Sequence, residues 1–145
     1  MTWSPSVSLD QVIVVAGVGQ LALVLASLAI PRVLGWHREL MHLRPLTRQV
    51  FWTYAGYIWA TNLSFGLVSV IGPGWLLDRS PLAGAVTAFI ATYWTARLVL
   101  QLAYFDRSDV PAGWLPRLGE PALVGLFVLL AATYGTAALA NLSGV

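Results

Sequence analysis

The chain has 145 residues, of which 58% are hydrophobic and 10% are charged, and its net charge is +2. A soluble domain of this size carries about 25% charged residues, so the composition indicates a protein whose solvent is mostly lipid. The length fits a single domain over residues 1–145. Because the chain has no cysteine, disulfides and thiolate metal sites are excluded, and the small net charge argues against nucleic acid as a partner.

Four long stretches of the sequence contain no Asp, Glu, Lys or Arg: 11–31, 49–77, 80–96 and 121–145. A helix of about 20 apolar residues crosses the roughly 30 Å hydrocarbon core of a bilayer. The stretches therefore predict an all-α polytopic membrane protein, a four-transmembrane-helix bundle. The first residues lack the basic region and cleavage motif of a signal peptide, so we expect the first helix to be retained.

Caps and helix breakers set the limits of the predicted spans, which are, in chain order, 9–30, 48–71, 81–105 and 121–141. Ser8 and Gln11 have the spacing of a capping box at the start of the first span, and Pro31 ends that span. Ser80 as N-cap and Pro81 at the first helical position begin the third span. The fourth span begins at a proline, Pro121.

The connection between the first two spans predicts a short interfacial helix over residues 33–44. Its apolar residues recur at helical spacing: Val33, Trp36, Leu40 and Leu43. Such a helix lies in the headgroup region with its apolar side down, and Pro45 ends it. A structural elbow is the favoured interpretation, and a docking surface for a partner subunit or anionic lipid is the alternative.

The arginines predict how the chain is threaded through the membrane. Those in the first and third connections are Arg32, Arg38, Arg44, Arg48, Arg107 and Arg117, whereas Arg79 lies on the other side. Cytoplasmic loops of membrane proteins are enriched in Arg and Lys. We therefore expect a protein of the bacterial inner membrane, with loops 1 and 3 in the cytoplasm and both termini outside, in the periplasm. Tryptophans near the predicted span ends are typical of an aromatic belt: Trp3, Trp36, Trp52, Trp75 and Trp114.

Each predicted span also carries polar residues near its middle. They are Gln20, Asn62, Thr92 with Tyr93, and Thr133 with Tyr134. Such side chains hydrogen-bond between helices, which is the favoured interpretation, and a polar site in the bundle interior is the alternative. Small residues at four-residue spacing predict close helix contacts, within the chain or with another subunit: Gly84, Ala88, Thr92 and Ala96; Gly56 and Ala60; Ala131 and Gly135.

Arg97 is the one charge inside the third span, where a charge costs at least about 2.5 kcal/mol. Helical side chains lean toward the helix N-terminus, which here points away from the nearer, cytoplasmic interface. No acid lies at this depth. A charge partner could be Asp106, Asp109 or Glu39, an acid of another subunit, or an anionic ligand such as a lipid phosphate. The predicted contact site comprises Arg97, Gln101, Tyr57, Tyr93, Asn62 and Gln20.

The two histidines offer little catalytic chemistry. His37 and His42 are five residues apart, so on a helix they diverge by about 140°. Either could supply one axial ligand to a haem or a chlorophyll if the loop dips into the membrane. The sequence contains no acid pair, metal-binding cluster or phosphate loop, so no catalytic or metal-ligating residues are assigned.

These patterns lead to a first hypothesis of a non-catalytic accessory or scaffold subunit of a larger bacterial membrane complex. Its partners would be lipid and other membrane subunits or further copies of the chain. The alternative is a small transporter or lipid-binding protein with an anion or headgroup site around Arg97. A second alternative is a haem- or chlorophyll-carrying subunit.

Overall fold

A computed structural model describes residues 7–106, 108 and 113–143, with the backbone alone for residues 114–116. The predictions for Trp3, Arg107, Asp109 and the Trp114 side chain lie outside the described residues. Within these ranges the chain folds as α-helices: α1 Leu9–Ser27, α2 Ile30–Val33, α3 Trp36–Leu40, α4 Pro45–Ile71, α5 Pro81–Ala103 and α6 Trp114–Leu142, with a 3-10 turn at Pro73–Leu76. The predicted all-α class is confirmed.

Three described segments are long and apolar enough to cross a membrane: Leu9–Val33, Pro81–Ala103 and Arg117–Leu142. They correspond to the first, third and fourth predicted spans. Helix α4, the second predicted span, is 27 residues long but is not among the three. Its aromatic residues, such as Tyr54 and Tyr57, and its polar residues, such as Asn62 and Ser64, lower its mean hydropathy.

Both predicted N-caps are confirmed. Ser8 Oγ accepts a hydrogen bond from the Gln11 amide (3.4 Å), and Gln11 Oε1 accepts one from the Ser8 amide (3.2 Å). At the start of α5, Ser80 Oγ accepts from the Ala83 amide at 3.0 Å. Each cap satisfies an amide of the first turn that has no partner inside the helix.

The predicted proline boundaries are wrong at Pro31 and Pro121. Helix α1 ends at Ser27, and Pro31 lies in the first turn of α2. Pro45 turns the chain into the second long helix by opening α4, although α3 already ends at Leu40. Pro121 lies inside α6, which already begins at Trp114. Proline is tolerated in a first turn because the amides there lack helical partners, and α6 continues through its proline with the loss of one backbone hydrogen bond.

The predicted continuous helix over 33–44 is not confirmed. The chain instead forms the short helices α2 and α3, which are separated where Gly35 takes a left-handed conformation with φ of 62°. The Trp36 ring packs against Phe51 and Trp52, with centroid distances of 4.9 and 6.0 Å. These ring contacts fix the elbow between α1 and α4 onto the first turns of α4.

The four long helices pack as two antiparallel hairpins. In the first, Trp59 of α4 donates to the Val24 carbonyl of α1 at 3.3 Å. In the second, Gly84 of α5 lies against Asn141 of α6. Helix α1 also contacts α6, and α4 approaches α5 through aromatic rings. The core where the hairpins meet is formed by Ile13, Ala16, Ile90, Trp94, Phe127, Leu130, Tyr134 and Ala137.

Two glycines that the sequence analysis did not select set the spacing between α1 and α4. A Cβ on Gly17 would lie 2.8 Å from Ser69 Cβ, and a Cβ on Gly66 would lie 2.7 Å from Leu21 Cδ2. A Cβ on Gly56, which the sequence analysis did select, would meet nothing within 4 Å. The close helix contact therefore depends on Gly17 and Gly66.

Replacing Gly66 with Leu should lower the free energy of unfolding by about 2–3 kcal/mol, because the added side chain forces α1 and α4 apart. The matched control is Gly125→Leu on α6, an exposed glycine whose Cβ would meet nothing within 4 Å, and it should change stability by less than about 1 kcal/mol. Reversible unfolding of the purified protein in detergent micelles measures both. Equal effects of the two substitutions would show that α1 and α4 do not meet at Gly66.

Candidate functional site

A buried hydrogen-bond chain centred on Gln20 joins the four long helices. Gln20 of α1 is fully buried, its Nε2 donates to the Tyr134 hydroxyl of α6, and its Oε1 accepts from Trp94 Nε1 of α5 at 3.2 Å. The Tyr134 hydroxyl also bonds to the Ser69 hydroxyl of α4, which donates to the Phe65 carbonyl at 2.7 Å. The hydrogen bonds are therefore all donated in one direction, from Gln20 to Tyr134, from Tyr134 to Ser69, and from Ser69 to the α4 backbone.

A second polar network, absent from the sequence predictions, closes the end of the bundle where α4 passes into α5. Asn141 Nδ2 donates to the Leu76 carbonyl at 2.8 Å and to Thr87 Oγ1 at 3.3 Å. Its Oδ1 accepts from the Arg79 amide at 3.1 Å, where the backbone has a positive φ of 60°. The bonds to Leu76 and Arg79 hold the 72–80 connection against the end of α6, and the bond to Thr87 ties the same end of α6 to α5.

Asp78, in the same connection, stabilises the cap of α5. Its Oδ1 accepts a hydrogen bond from the Ser80 amide at 2.8 Å. Hydrogen bonds from the Ser80 side chain and backbone lower the pKa of the Asp78 carboxyl group below its ordinary value. Asp78 is exposed, and its hydrogen bond to the Ser80 amide accounts for its position in the connection.

Arg97 is half-buried, and its guanidinium reaches toward α6. Its guanidinium carbon lies 5.7 Å from the centroid of the Phe127 ring, which is 1% exposed. A cation over an aromatic face gains about 0.5–2 kcal/mol, which does not neutralise its charge. Arg97 Nε is buried and has no hydrogen-bond partner among the described residues.

Two further polar groups lie beside Arg97 on the α4–α5 side. Asn62 lies close enough to the Tyr93 hydroxyl for a weak hydrogen-bond interaction, and the Arg97 charge acts on the same hydroxyl. The Tyr93 hydroxyl oxygen and Asn62 Oδ1 are both buried, and neither forms a hydrogen bond of normal length within the described part of the chain. Asn62, Tyr93 and Arg97 are called the Arg97 cluster below.

The structure does not bring all the predicted contact residues together. Tyr57 is 66% exposed and lies on the outer face of α4, so the expectation that it lies beside Arg97 is not met. Gln20 belongs to the hydrogen-bond chain with Tyr134 and Trp94. Gln101 is half-buried one turn along α5 from Arg97.

The acids that could pair with Arg97 lie away from its depth. Glu39 and Asp106 are exposed, and Asp106 Oδ1 accepts a hydrogen bond from the Ser108 amide at 2.9 Å. Because α6 starts earlier than predicted, Glu120 is also inside a helix. The contact of Gly84 with Asn141 sets the pairing of α5 with α6, which places Glu120 about 12 Å of helix rise from the level of Arg97.

The histidines lie at the elbow. The His37 ring packs against the Trp52 ring with a centroid distance of 5.2 Å, and both His37 and His42 are exposed. The residues that the structure describes contain no group of three or more His, Cys, Asp or Glu that could hold a metal ion.

No protein-family model, curated protein or solved structure matches the chain. Its function is therefore inferred from the geometry of the protein itself. The Arg97 cluster offers a guanidinium, a phenol and a carboxamide, which can bind a polar or anionic group. None of the three is a base near neutral pH, so the cluster is suited to binding rather than to proton transfer.

Replacing Tyr134 with Phe should lower the free energy of unfolding by about 1–3 kcal/mol. The substitution removes the hydroxyl that links Gln20 to Ser69 and leaves the buried Gln20 amide without an acceptor. Unfolding in detergent micelles measures the loss. The control Tyr54→Phe deletes an exposed hydroxyl and should change stability by less than about 0.5 kcal/mol. A Tyr134→Phe protein as stable as the control would contradict the hydrogen-bond chain through Tyr134.

Proposed function

We propose that this protein is a four-span integral protein of a bacterial cytoplasmic membrane. In our proposal it serves as a non-catalytic accessory or scaffold subunit, and the outer face of α4 binds a membrane helix of a partner subunit. That outer face is formed by exposed residues in one row along the helix: Gln49, Thr53, Gly56, Tyr57, Ala60 and Ser64.

The packing of α4 supports a fourth span. Gly17 lies against Gly66 and Ser69, and Val24 accepts from Trp59, so α4 runs antiparallel to α1 along much of its length. A helix in such contact with a membrane-crossing helix shares its depth. At 27 residues, α4 is about 40 Å long, which is enough to cross the bilayer.

The distribution of arginine supports the proposed orientation. Since the hairpins are antiparallel, the connection between α1 and α4 lies at the same end of the bundle as the start of α6. Arg32, Arg38, Arg44 and Arg48 are at this end, and Arg79 is at the other. Because positive residues favour the cytoplasmic side, the elbow with α2 and α3 would face the cytoplasm.

The surface of α4 is the observation that carries the accessory role. Lipid-facing helices gain little from glycine and from polar side chains, whereas helices that meet in membranes use small residues to let their backbones approach. The Thr53 and Ser64 side chains are small, and their hydroxyls donate to carbonyls of their own helix, so these donors are satisfied without a partner. Beside them a groove of about 250 Å³ is lined by Gln49, Val50, Thr53, Tyr54 and Tyr57.

This row of small and polar residues on α4 is better suited to contact with a partner helix than to contact with lipid. Gly56 and Ala60 would allow close backbone approach, and the Gln49 amide and Tyr57 hydroxyl would donate hydrogen bonds at the edge of the contact. Bonds of this kind in membranes contribute about 0.6–2 kcal/mol each. The partner would be another membrane subunit or a second copy of this chain.

Replacing Gly56 with Leu should abolish association with the partner while leaving the fold of the chain intact, because the added side chain blocks backbone approach on the outer face. The measurement is the mass of the complex purified in mild detergent from the native membrane. Gly125→Leu is the matched control, since Gly125 is an exposed helical glycine on α6 whose Cβ would also meet nothing within 4 Å.

The wild-type chain and Gly125→Leu should copurify in the same complex, and Gly56→Leu should run as a lone monomer. A wild-type chain that itself runs as a monomer, or a Gly56→Leu chain that keeps its partner, would overturn the proposal. The mass of the wild-type complex distinguishes a second copy from a different subunit.

A further inference from the structure

We infer that the Arg97 cluster binds one small monovalent anion, of the halide or carboxylate class, in the interior of the bundle. The site lies between α4 and α5, apart from the α4 outer face, so it stands whether or not a partner helix covers that face.

The cluster lies near the middle of the membrane-spanning part of the bundle. Asn62 is separated by about 14 Å of helix rise from Ile71 at one end of α4 and by about 15 Å from Trp52 toward the other. Tyr93 lies at a similar depth, because its ring is 5.3 Å from the ring of Phe65, three residues from Asn62 on α4, and Arg97 is one turn away from Tyr93 on α5. A lipid phosphate stays in the headgroup region, so the depth favours a small ion over a phospholipid headgroup.

The charge at this depth requires compensation. A charge in a low-dielectric interior is strongly unfavourable unless it is paired and hydrogen-bonded. The helical stretches around Arg97 contain no acid at its level, and Glu120 lies about 12 Å away along the helix axis. The Phe127 ring offers its face but no negative charge. An anion would supply the missing charge.

The orphaned polar atoms fit the coordination of such an anion. Arg97 Nε and the Tyr93 hydroxyl are donors, and both are buried with no hydrogen-bond partner within the described ranges. Asn62 is 8% exposed and its carboxamide presents either its oxygen or its NH₂ group on rotation about its last bond. Three donors from two helices would therefore converge on one ion.

The direction of Arg97 excludes an acid on a partner at the α4 outer face. Its guanidinium lies over Phe127, which is buried, whereas Gly56 and Tyr57 face outward on the side of α4 away from the buried Asn62. A side chain docked on the outer face would have to pass through α4 to reach Arg97. A diffusible ion has no such constraint.

Trp94 is a built-in reporter for this site, since its ring lies 5.3 Å from the Tyr93 ring and is fully buried. The experiment titrates the purified full-length chain in detergent micelles with iodide, and sulfate, a divalent anion outside the proposed class, holds the ionic strength constant. We expect a saturable component of tryptophan quenching that chloride displaces. This component should vanish in Trp94→Phe and in Arg97→Gln, and persist in Arg48→Gln, which removes an exposed charge from the same protein.

A second variant keeps the test decisive if Arg97→Gln fails to fold. Tyr93→Phe removes one donor and leaves the ring packing on Phe65, so the iodide affinity should fall about fivefold to tenfold. Tyr104→Phe, which deletes an exposed hydroxyl outside both proposed sites, should leave it unchanged. Quenching that is linear in iodide, insensitive to chloride and the same in the wild type and Tyr93→Phe would overturn the proposal.

Discussion

The hydrogen bonds of the Gln20 amide hold the four long helices in one arrangement. In a bundle surrounded by lipid no solvent satisfies a buried amide, so its donors and acceptors must be matched by neighbouring helices. Gln20 donates to Tyr134 and accepts from Trp94, and Tyr134 passes the chain on to Ser69. A rotation of α1 or α4 about its axis would break these hydrogen bonds and would also remove Gly66 from its contact with α1.

The buried polar groups of the protein fall into two classes, those with matched hydrogen-bond partners and those without. Around Gln20 and around Asn141 the donors and acceptors match, and both networks act as structural joints between elements. At Arg97 the opposite holds, since a guanidinium nitrogen, a phenol and an amide oxygen are buried without matched partners in the described residues. This contrast is the basis of our proposal that the Arg97 cluster serves binding rather than packing.

Local rules predicted the features of this protein that depend on few residues. The Ser8–Gln11 box and the Ser80 cap follow from spacing along one helix, and the apolar stretches follow from composition. Proline positions were less informative, because Pro31 and Pro45 are tolerated in first turns. The placement of Tyr57 and the contact at Gly66 depend on how each helix is rotated toward its neighbours, which the near-uniform apolar surface of the helices leaves undetermined.

The central claim is that Gln20 and Tyr134 stabilise the bundle as a pair, and a double-mutant cycle tests it most directly. Gln20→Leu, Tyr134→Phe and the double variant are compared by unfolding in detergent micelles. The claim predicts that the double variant loses less stability than the sum of the single variants, with a coupling energy of about 1–2 kcal/mol. Losses that add to within about 0.3 kcal/mol would contradict it, because independent residues behave in that way.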